Sequence, residues 1–287
     1  MKILIATPAY GDVVFKGFTE SVSHLVLAFA RAFPDIAFEH RLIDVPVLAT
    51  ARNILASLVI DDPSYSHLLF VDADMAFSPM LIARMLACGK PFVGSIYPAK
   101  QIPWEQFAKL AGSDLSTIQI QMIAGDYICE DDVVVTPRGN GYRTAAVVDG
   151  LVQVRASGTG VMLIERAALL RMREALPELW LEEPGAQVRA WGLAEGGLFR
   201  GFDTMVNDEG YHVGEDIAFC LRWTGIGGEI WAMVDEAIVH TGRGFFRGHA
   251  AMAWAAQGRK VMQRRLRADG RNDPWWTRAL RRTAGRR

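Results

Sequence analysis

Two apolar spacings alternate along the first hundred residues of this chain. Unbroken apolar runs at 3–7, 67–72 and 91–95 predict strands buried on both faces, since a strand covered on one side alternates with polar residues. Residues 36–43 read as a further strand. Between them, Val22, Leu25, Val26, Phe29 and Ala30 form a helical stripe within 19–32 that Pro34 ends. Residues 49–60 predict a second helix and 79–87 a third, the latter opened by Ser78 as N-cap and Pro79 at the first helical position. This alternation predicts an α/β fold, with a Rossmann-like, mostly parallel sheet and helices on both faces. Ligands of such sheets bind beyond the carboxyl ends of the strands. Pro8-Ala9-Tyr10 and Asp72-Ala73-Asp74 both fall there.

Past residue 100 the helical period fades. Pieces at 133–136, 145–148 and 151–155 are β-rich, separated by Gly139-Asn140-Gly141 and by Asp149-Gly150, the second a hairpin signal. They predict a smaller antiparallel region. A glycine-hinged strand follows at 156–164, then a helix at 166–175 and a mostly irregular stretch at 182–212. Gly214-Glu215-Asp216 opens a helix carrying Ile217, Phe219, Cys220, Leu221 and Trp223, and a strand at 229–234 leads to Ile238-Val239-His240-Thr241-Gly242. The expected organisation is one domain over 1–258, with a nucleotide-binding half at 1–100 and an acceptor half at 101–258, followed by a basic tail at 259–287.

Charge sharpens that last boundary. The net charge of −1 excludes a global field aimed at nucleic acid or membrane. It averages a tail of 11 Lys and Arg against two acids with a body of 20 basic and 30 acidic side chains. The tail also holds Trp275-Trp276, a pairing with arginine found in membrane-surface and nucleic-acid-binding segments, though a plain solvated terminus reads the same way. Three scattered cysteines, Cys88, Cys129 and Cys220, argue against a disulfide framework or zinc cluster and suit a reducing compartment. No apolar run reaches the ~20 residues that span a bilayer. A cytoplasmic protein, with room for peripheral membrane contact, is the expectation.

The candidate chemistry starts at Asp72 and Asp74. In an extended segment they point to the same side, and paired carboxylates at the end of a buried strand call for a cation. A divalent metal carrying phosphate oxygens meets that need; solvated aspartates preceding a helix are the plain alternative. Glu215 and Asp216 at a helix start answer the helix dipole or supply a base. His240 before Thr241-Gly242 is a structural histidine or a nitrogen ligand, which would tilt a site from Mg²⁺ toward Mn²⁺. Gly158 and Gly160 lack the context of a dinucleotide fingerprint.

In order, these pieces are apolar strand–Asp-x-Asp, glycine-hinged strand, Gly214-Glu215-Asp216-Ile217-Ala218-Phe219-Cys220-Leu221-Arg222-Trp223 with Gly-Gly-Glu-Ile-Trp at 227–231, then Val239-His240-Thr241-Gly242. Together they resemble the GT-A fold glycosyltransferases, family 2-like, over roughly residues 1–250. The resemblance implies a metal-dependent hexosyltransferase moving sugar from a UDP- or GDP-sugar to a hydroxyl of an unidentified acceptor, a glycan, lipid-linked molecule or protein. It implies a nucleotide pocket lined by Thr7, Pro8, Ala9 and Tyr10, with Arg52 nearby. Asp72 would contact the ribose beside Ala73, while Asp74 and His240 would hold Mn²⁺ or Mg²⁺. Gly158 and Gly160 would floor the site, and Asp216, or Glu215, would act as base. Lys100, just past the fourth strand, is a candidate phosphate contact outside the shared motifs. The rival enzymes are a sugar-1-phosphate nucleotidyltransferase, which wants a basic loop where Pro8-Ala9-Tyr10-Gly11-Asp12 has none, and a haloacid-dehalogenase-type phosphatase, whose Asp pair ends the first strand. The non-enzyme rival is a nucleic-acid- or membrane-binding protein acting through the tail.

Overall fold

The computed structural model describes residues 1–138, 142–193, 196–242, 244–256 and 261–264. Gly139-Asn140-Gly141 and, apart from Val261–Arg264, the basic stretch at 259–287 lie outside the described residues.

The first half builds β1 (Lys2–Pro8), α1 (Lys16–Ala32), β2 (Ala37–Ile43), α2 (Leu48–Asp61), β3 (His67–Val71), β4 (Met75–Phe77), α3 (Pro79–Ala87) and β5 (Phe92–Ser95). Ser78 caps α3 by accepting a hydrogen bond from the Met80 N–H, with Pro79 at the first helical position. The second half adds α4 (Trp104–Leu110), α5 (Thr117–Ala124), β6 (Val135–Arg138), β7 (Tyr142–Val148), β8 (Leu151–Val154), β9 (Val161–Glu165) and α6 (Arg166–Ala175). Then come β10 (Trp180–Leu181), the short α7 (Ala186–Arg189), β11 (Leu198–Phe199), β12 (Met205–Val206), β13 (His212–Val213), α8 (Glu215–Gly225), β14 (Ile230–Met233), β15 (Ile238–Thr241), β16 (Phe245–Gly248), α9 (Ala250–Ala256) and β17 (Val261–Arg264). No helix among the described residues is long and apolar enough to cross a membrane.

A ten-stranded sheet runs β2-β1-β3-β9-β5-β14-β8-β7-β17, with β6 on the side of β7. Strands β1, β2, β3, β5, β7, β14 and β17 share one direction, and β6, β8 and β9 oppose them. The mostly parallel α/β architecture expected from the apolar runs is present. So is the Asp149-Gly150 hairpin between β7 and β8, whose two turn residues take positive φ values of 52° and 80°. Two features differ from the expectation. β9 inserts antiparallel between β3 and β5, pairing Leu69 with Leu163 and Val93 with Leu163. The stretch after residue 100 contains α4 and α5, the latter opened by a capping box from Ser116 and Gln119. Each is only about two turns long, too short to show a stable apolar stripe.

The sheet separates two cores by simple alternation. Leu4, Leu68, Phe70, Phe92, Met162 and Ile164 face α2, α6 and α8, where they meet Ile54, Leu169, Phe219 and Trp223. Their neighbours Ile3, Ile5, Leu69, Val93 and Leu163 face α1 and α3, against Phe18, Leu25, Leu81 and Met85. Burial on both sides is what makes these strands continuously apolar. On the first face Phe202 stacks on Phe219 at 4.0 Å between ring centroids and meets Phe70 edge-on at 5.2 Å.

Arg84 on α3 fixes the segment that leads into β15. Its Nη1 lies 2.7 Å from both Asp235 Oδ1 and Glu236 Oε1, and its Nη2 donates to the Asp149 carbonyl at 2.6 Å. One guanidinium thus ties a helix, a hairpin and the β14–β15 turn, and it is 13% exposed. Arg84→Ala should leave two adjacent carboxylates without their cation and lower stability by about 2 kcal/mol, read as a fall in the urea midpoint at unchanged slope.

Candidate active site

The site candidates converge at the carboxyl edge of the sheet, where β3 ends. The expectation that Asp72 and Asp74 share one side does not hold, because the chain turns between them. The Met75 N–H donates to the Asp72 carbonyl at 3.0 Å, which breaks the extended alternation. The two carboxylates meet different partners.

Asp72 continues the Phe70 face of β3 and meets Arg52 from α2. Arg52 Nη2 lies 3.1 Å from Asp72 Oδ1 and 3.2 Å from Oδ2, while its Nε donates to Glu215 Oε1 at 3.3 Å. Its side chain is 2% exposed, against 28% for Asp72 and 18% for Glu215. Burial works against the Arg52 charge, but Asp72 and then Glu215 outweigh it and hold the guanidinium above its ordinary pKa. Burial pushes the Asp72 carboxyl up, and Arg52 only partly offsets this. Arg52 Nη1 has no hydrogen-bond partner. Its neighbour Asn53 holds the loop between β11 and β12, donating to Asp203 Oδ1 at 2.7 Å and accepting from the Phe202 N–H at 2.7 Å.

Asp74 meets two groups from distant parts of the chain. Lys100 Nζ donates to Asp74 Oδ2. His240 Nε2 lies 3.5 Å from Asp74 Oδ1, a buried oxygen with no hydrogen-bond partner. This meeting is a matter of register. β4, directly after the turn, pairs antiparallel with β15, setting His240 opposite Met75, and the Thr241 N–H donates to the Asp74 carbonyl at 2.8 Å. His240 Nδ1 lies 2.9 Å from the Pro98 carbonyl. A carbonyl only accepts, so Nδ1 carries a proton and Nε2 is the ring nitrogen turned to Asp74. A backbone acceptor behind an imidazole is how metal-ligating histidines are oriented. Burial raises the Asp74 pKa, but the proximity of His240 and Lys100 outweighs it and holds the carboxyl below its ordinary value. An orphaned carboxylate oxygen facing an oriented imidazole nitrogen fits an open, two-ligand site for Mn²⁺ or Mg²⁺. Among the described residues no group of three or more His, Cys, Asp or Glu side chains is placed to hold a metal ion.

Glu215 and Asp216 begin α8 after Gly214. Glu215 is occupied by Arg52, whereas Asp216 Oδ1 accepts from the backbone N–H of Ile217 at 2.8 Å. Burial and then the neighbouring Glu215 charge raise the Asp216 pKa. Gly158 and Gly160 lie against Tyr97, and a Cβ on either would come within 2.6 Å of that ring or its hydroxyl. Tyr97 is buried, its hydroxyl accepts from the Gly160 N–H at 3.2 Å, and its ring meets His240 edge-on at 5.3 Å. These glycines therefore make room for a phenol that supports the floor, and the Asp72 N–H donates to the Gly160 carbonyl at 3.0 Å.

At the end of β1, Thr7 and Ala9 are buried, Pro8 is partly covered and Tyr10 is 70% exposed. Thr7 Oγ1 sits 3.1 Å from His40 Nε2, so its hydroxyl is already engaged by a neighbouring strand. Of these four residues, Tyr10 offers the most open surface. Ala73 holds the turn to the α1 entrance through its carbonyl, which accepts from the Phe15 N–H at 2.9 Å. Tyr97 and Pro98 escaped the sequence reading. Their one signal was position, immediately past the buried strand β5 and before Lys100.

Removing Arg52 tests this electrostatic frame. Arg52→Ala should cost about 3 kcal/mol, the low end for stripping a buried ion pair because Asp72 keeps some solvent contact, measurable by chemical denaturation.

No family model and no curated protein matches the chain. Among solved structures, A197 from STIV aligns with a TM-score of 0.39 at 15% identity, covering 84% of this chain and 86% of that one. A protein assigned as a glucose-1-phosphate thymidylyltransferase from Bacillus anthracis, in complex with a sucrose, aligns with a TM-score of 0.34 at 11% identity, over 96% of this chain and 98% of its own.

Proposed function

We propose that this chain is a metal-dependent glycosyltransferase, transferring a sugar from a nucleotide-diphosphate sugar to an acceptor hydroxyl. The observation that carries the reading is His240, tied through Nδ1 to the Pro98 carbonyl so that Nε2 confronts the unpartnered oxygen of Asp74. Asp74 and His240 would hold Mn²⁺ or Mg²⁺, which when bound supplies Lewis-acid stabilisation to a diphosphate leaving group. Lys100, 39% exposed and resting on Asp74, is free at its outer side to add positive charge where the leaving phosphates become more negative. Asp72, held by Arg52 and 28% exposed, would accept from a ribose hydroxyl. Tyr10, at the rim of β1, suits contact with the nucleotide. Asp216 takes the proton from the acceptor hydroxyl, because Glu215 is committed to Arg52. A raised pKa makes it a stronger base than an ordinary aspartate.

Calorimetric titration with Mn²⁺ checks the ligand pair. Wild type should bind, and Asp74→Ala and His240→Ala should each weaken binding at least about tenfold and lose the Mn²⁺-dependent thermal stabilisation by UDP or GDP. Equal affinities in all three proteins would remove the metal from the reading.

Asp216→Asn should keep metal and nucleotide affinity while transfer falls roughly 10²- to 10⁴-fold. The base must be ionised to act, so a raised pKa makes wild-type activity decline at higher pH than a solvent-exposed aspartate would allow. That acid limb should vanish in the variant. Pyrophosphate release from a nucleoside triphosphate and a sugar 1-phosphate, without sugar transfer, would favour the nucleotidyltransferase instead.

A further inference from the structure

Beside the Asp74–His240 pair lies a groove that the proposed chemistry leaves unused. It encloses about 250 Å³ between the segment following β5 and the β15–β16 hairpin. Its walls are Ile102, Trp104, Phe107, Phe245 and Phe246. Pro98, whose carbonyl orients His240, is a lining residue, and so are Ala99 and Gln101 on either side of Lys100. On the hairpin, Phe246 stands opposite His240 in the strand register.

Three large side chains here remain open to solvent, with Trp104 71%, Phe245 60% and Ile102 42% exposed. Clustered exposure of this kind costs solubility unless something apolar covers it. The charge at the groove is one-sided. Arg247 lines it, placed 5.8 Å over the Phe245 ring, and its Nη1 reaches the neutral Gln121 amide at 3.4 Å. The described lining contains no carboxylate, and Asp126 behind it is engaged by Gln101. An apolar trough with an arginine and no acid complements an amphiphile that joins an apolar chain to an anionic group.

We infer that this groove binds the apolar chain of a lipid-phosphate-linked acceptor, with the phosphate at Arg247 and the hydroxyl-bearing end directed past Lys100 toward the donor site. The inference rests on the glycosyltransferase reading for what the bound molecule does, though not for its binding. It gives the sugar acceptor a chemical class, an amphiphile rather than a free glycan or a protein.

Decyl phosphate, kept below its micelle concentration, serves as probe, with tryptophan fluorescence as readout and decanol and maltotriose as comparators. UDP or GDP binding with Mn²⁺ is measured in parallel on each full-length protein. Wild type should bind decyl phosphate more tightly than either comparator. The Trp104→Ala/Phe245→Ala protein should bind it at least about tenfold more weakly, with little cost to folding, because both side chains are mostly exposed. Thermal-shift measurement serves as a second readout for that protein. Arg247→Gln should weaken decyl phosphate binding and leave decanol unchanged. Nucleotide affinity should be the same in all these proteins. Decyl phosphate binding that is absent, or indifferent to the aromatic pair or to Arg247, overturns the inference. Preference for maltotriose overturns it in favour of sugar stacking on the aromatic wall. A gain in affinity on replacing Trp275 and Trp276 by alanine overturns it in favour of the chain's own tail as occupant. Groove binding as expected, with no nucleotide bound by wild type, leaves the groove assigned and sinks the glycosyltransferase reading alone.

Discussion

A guanidinium sealed inside a protein needs anions more than any other side chain does, and Arg52 finds them on two separate elements. Asp72 comes from the end of β3 and Glu215 from the start of α8, so one charge fixes a helix, a strand end and a helix start against one another. The neighbouring Phe70 packs 5.4 Å under the guanidinium and carries the same constraint down into the aromatic stack of Phe202 and Phe219. Asn53, one residue on, holds the loop at 202–203 by two hydrogen bonds. The α2 helix therefore works as the internal post of the site. Its nearly complete burial follows from this position, between the sheet and the loop between β11 and β12.

Around that post the carboxylates take unequal roles because their partners are unequal. Asp72 and Glu215 share the single charge of Arg52. Asp74 is met by a lysine and by an imidazole with one nitrogen already committed to a backbone carbonyl. Asp216 accepts from a backbone N–H and forms no ion pair among the described residues. Four acids within one cleft could not all be held ionised without such division, since like charges in a partly buried site raise one another's pKa values. The arrangement leaves Asp74 and Asp216 with different partners and oppositely shifted pKa values.

Most of the scaffold was legible in the chain itself. Double-sided burial shows as unbroken apolar runs, so β1, β3 and β5 stood out, and Ser78-Pro79 and Pro34 marked helix ends through chemistry local to a few residues. Asp149-Gly150 was equally plain, because few other residues tolerate two consecutive positive φ values. What stayed hidden depends on pairing across long separations. Nothing local to β9 says that it lies antiparallel between β3 and β5, or that β15 will bring His240 to the turn after β3. Gly158 and Gly160 were visible as glycines, but the phenol that requires them lies 61 and 63 residues away in Tyr97, and only the pair of contacts explains them. Arg52 was noticed and its bridging function was not, since a helix sequence does not display the two carboxylates that will meet one of its side chains.

The placement of β9 has a consequence for the growing chain. β3 and β5 leave the ribosome well before β9, yet neither pairs with the other in the finished sheet. Until residue 165 has emerged, the two strands must sit with a gap between them or pair wrongly across it. Both flanking edges are almost wholly apolar and carry unpaired backbone groups, the combination most prone to capture by another strand. The stretch that separates β5 from β9 is thus a vulnerable interval, because the two apolar edges stay open until β9 fills the gap between them.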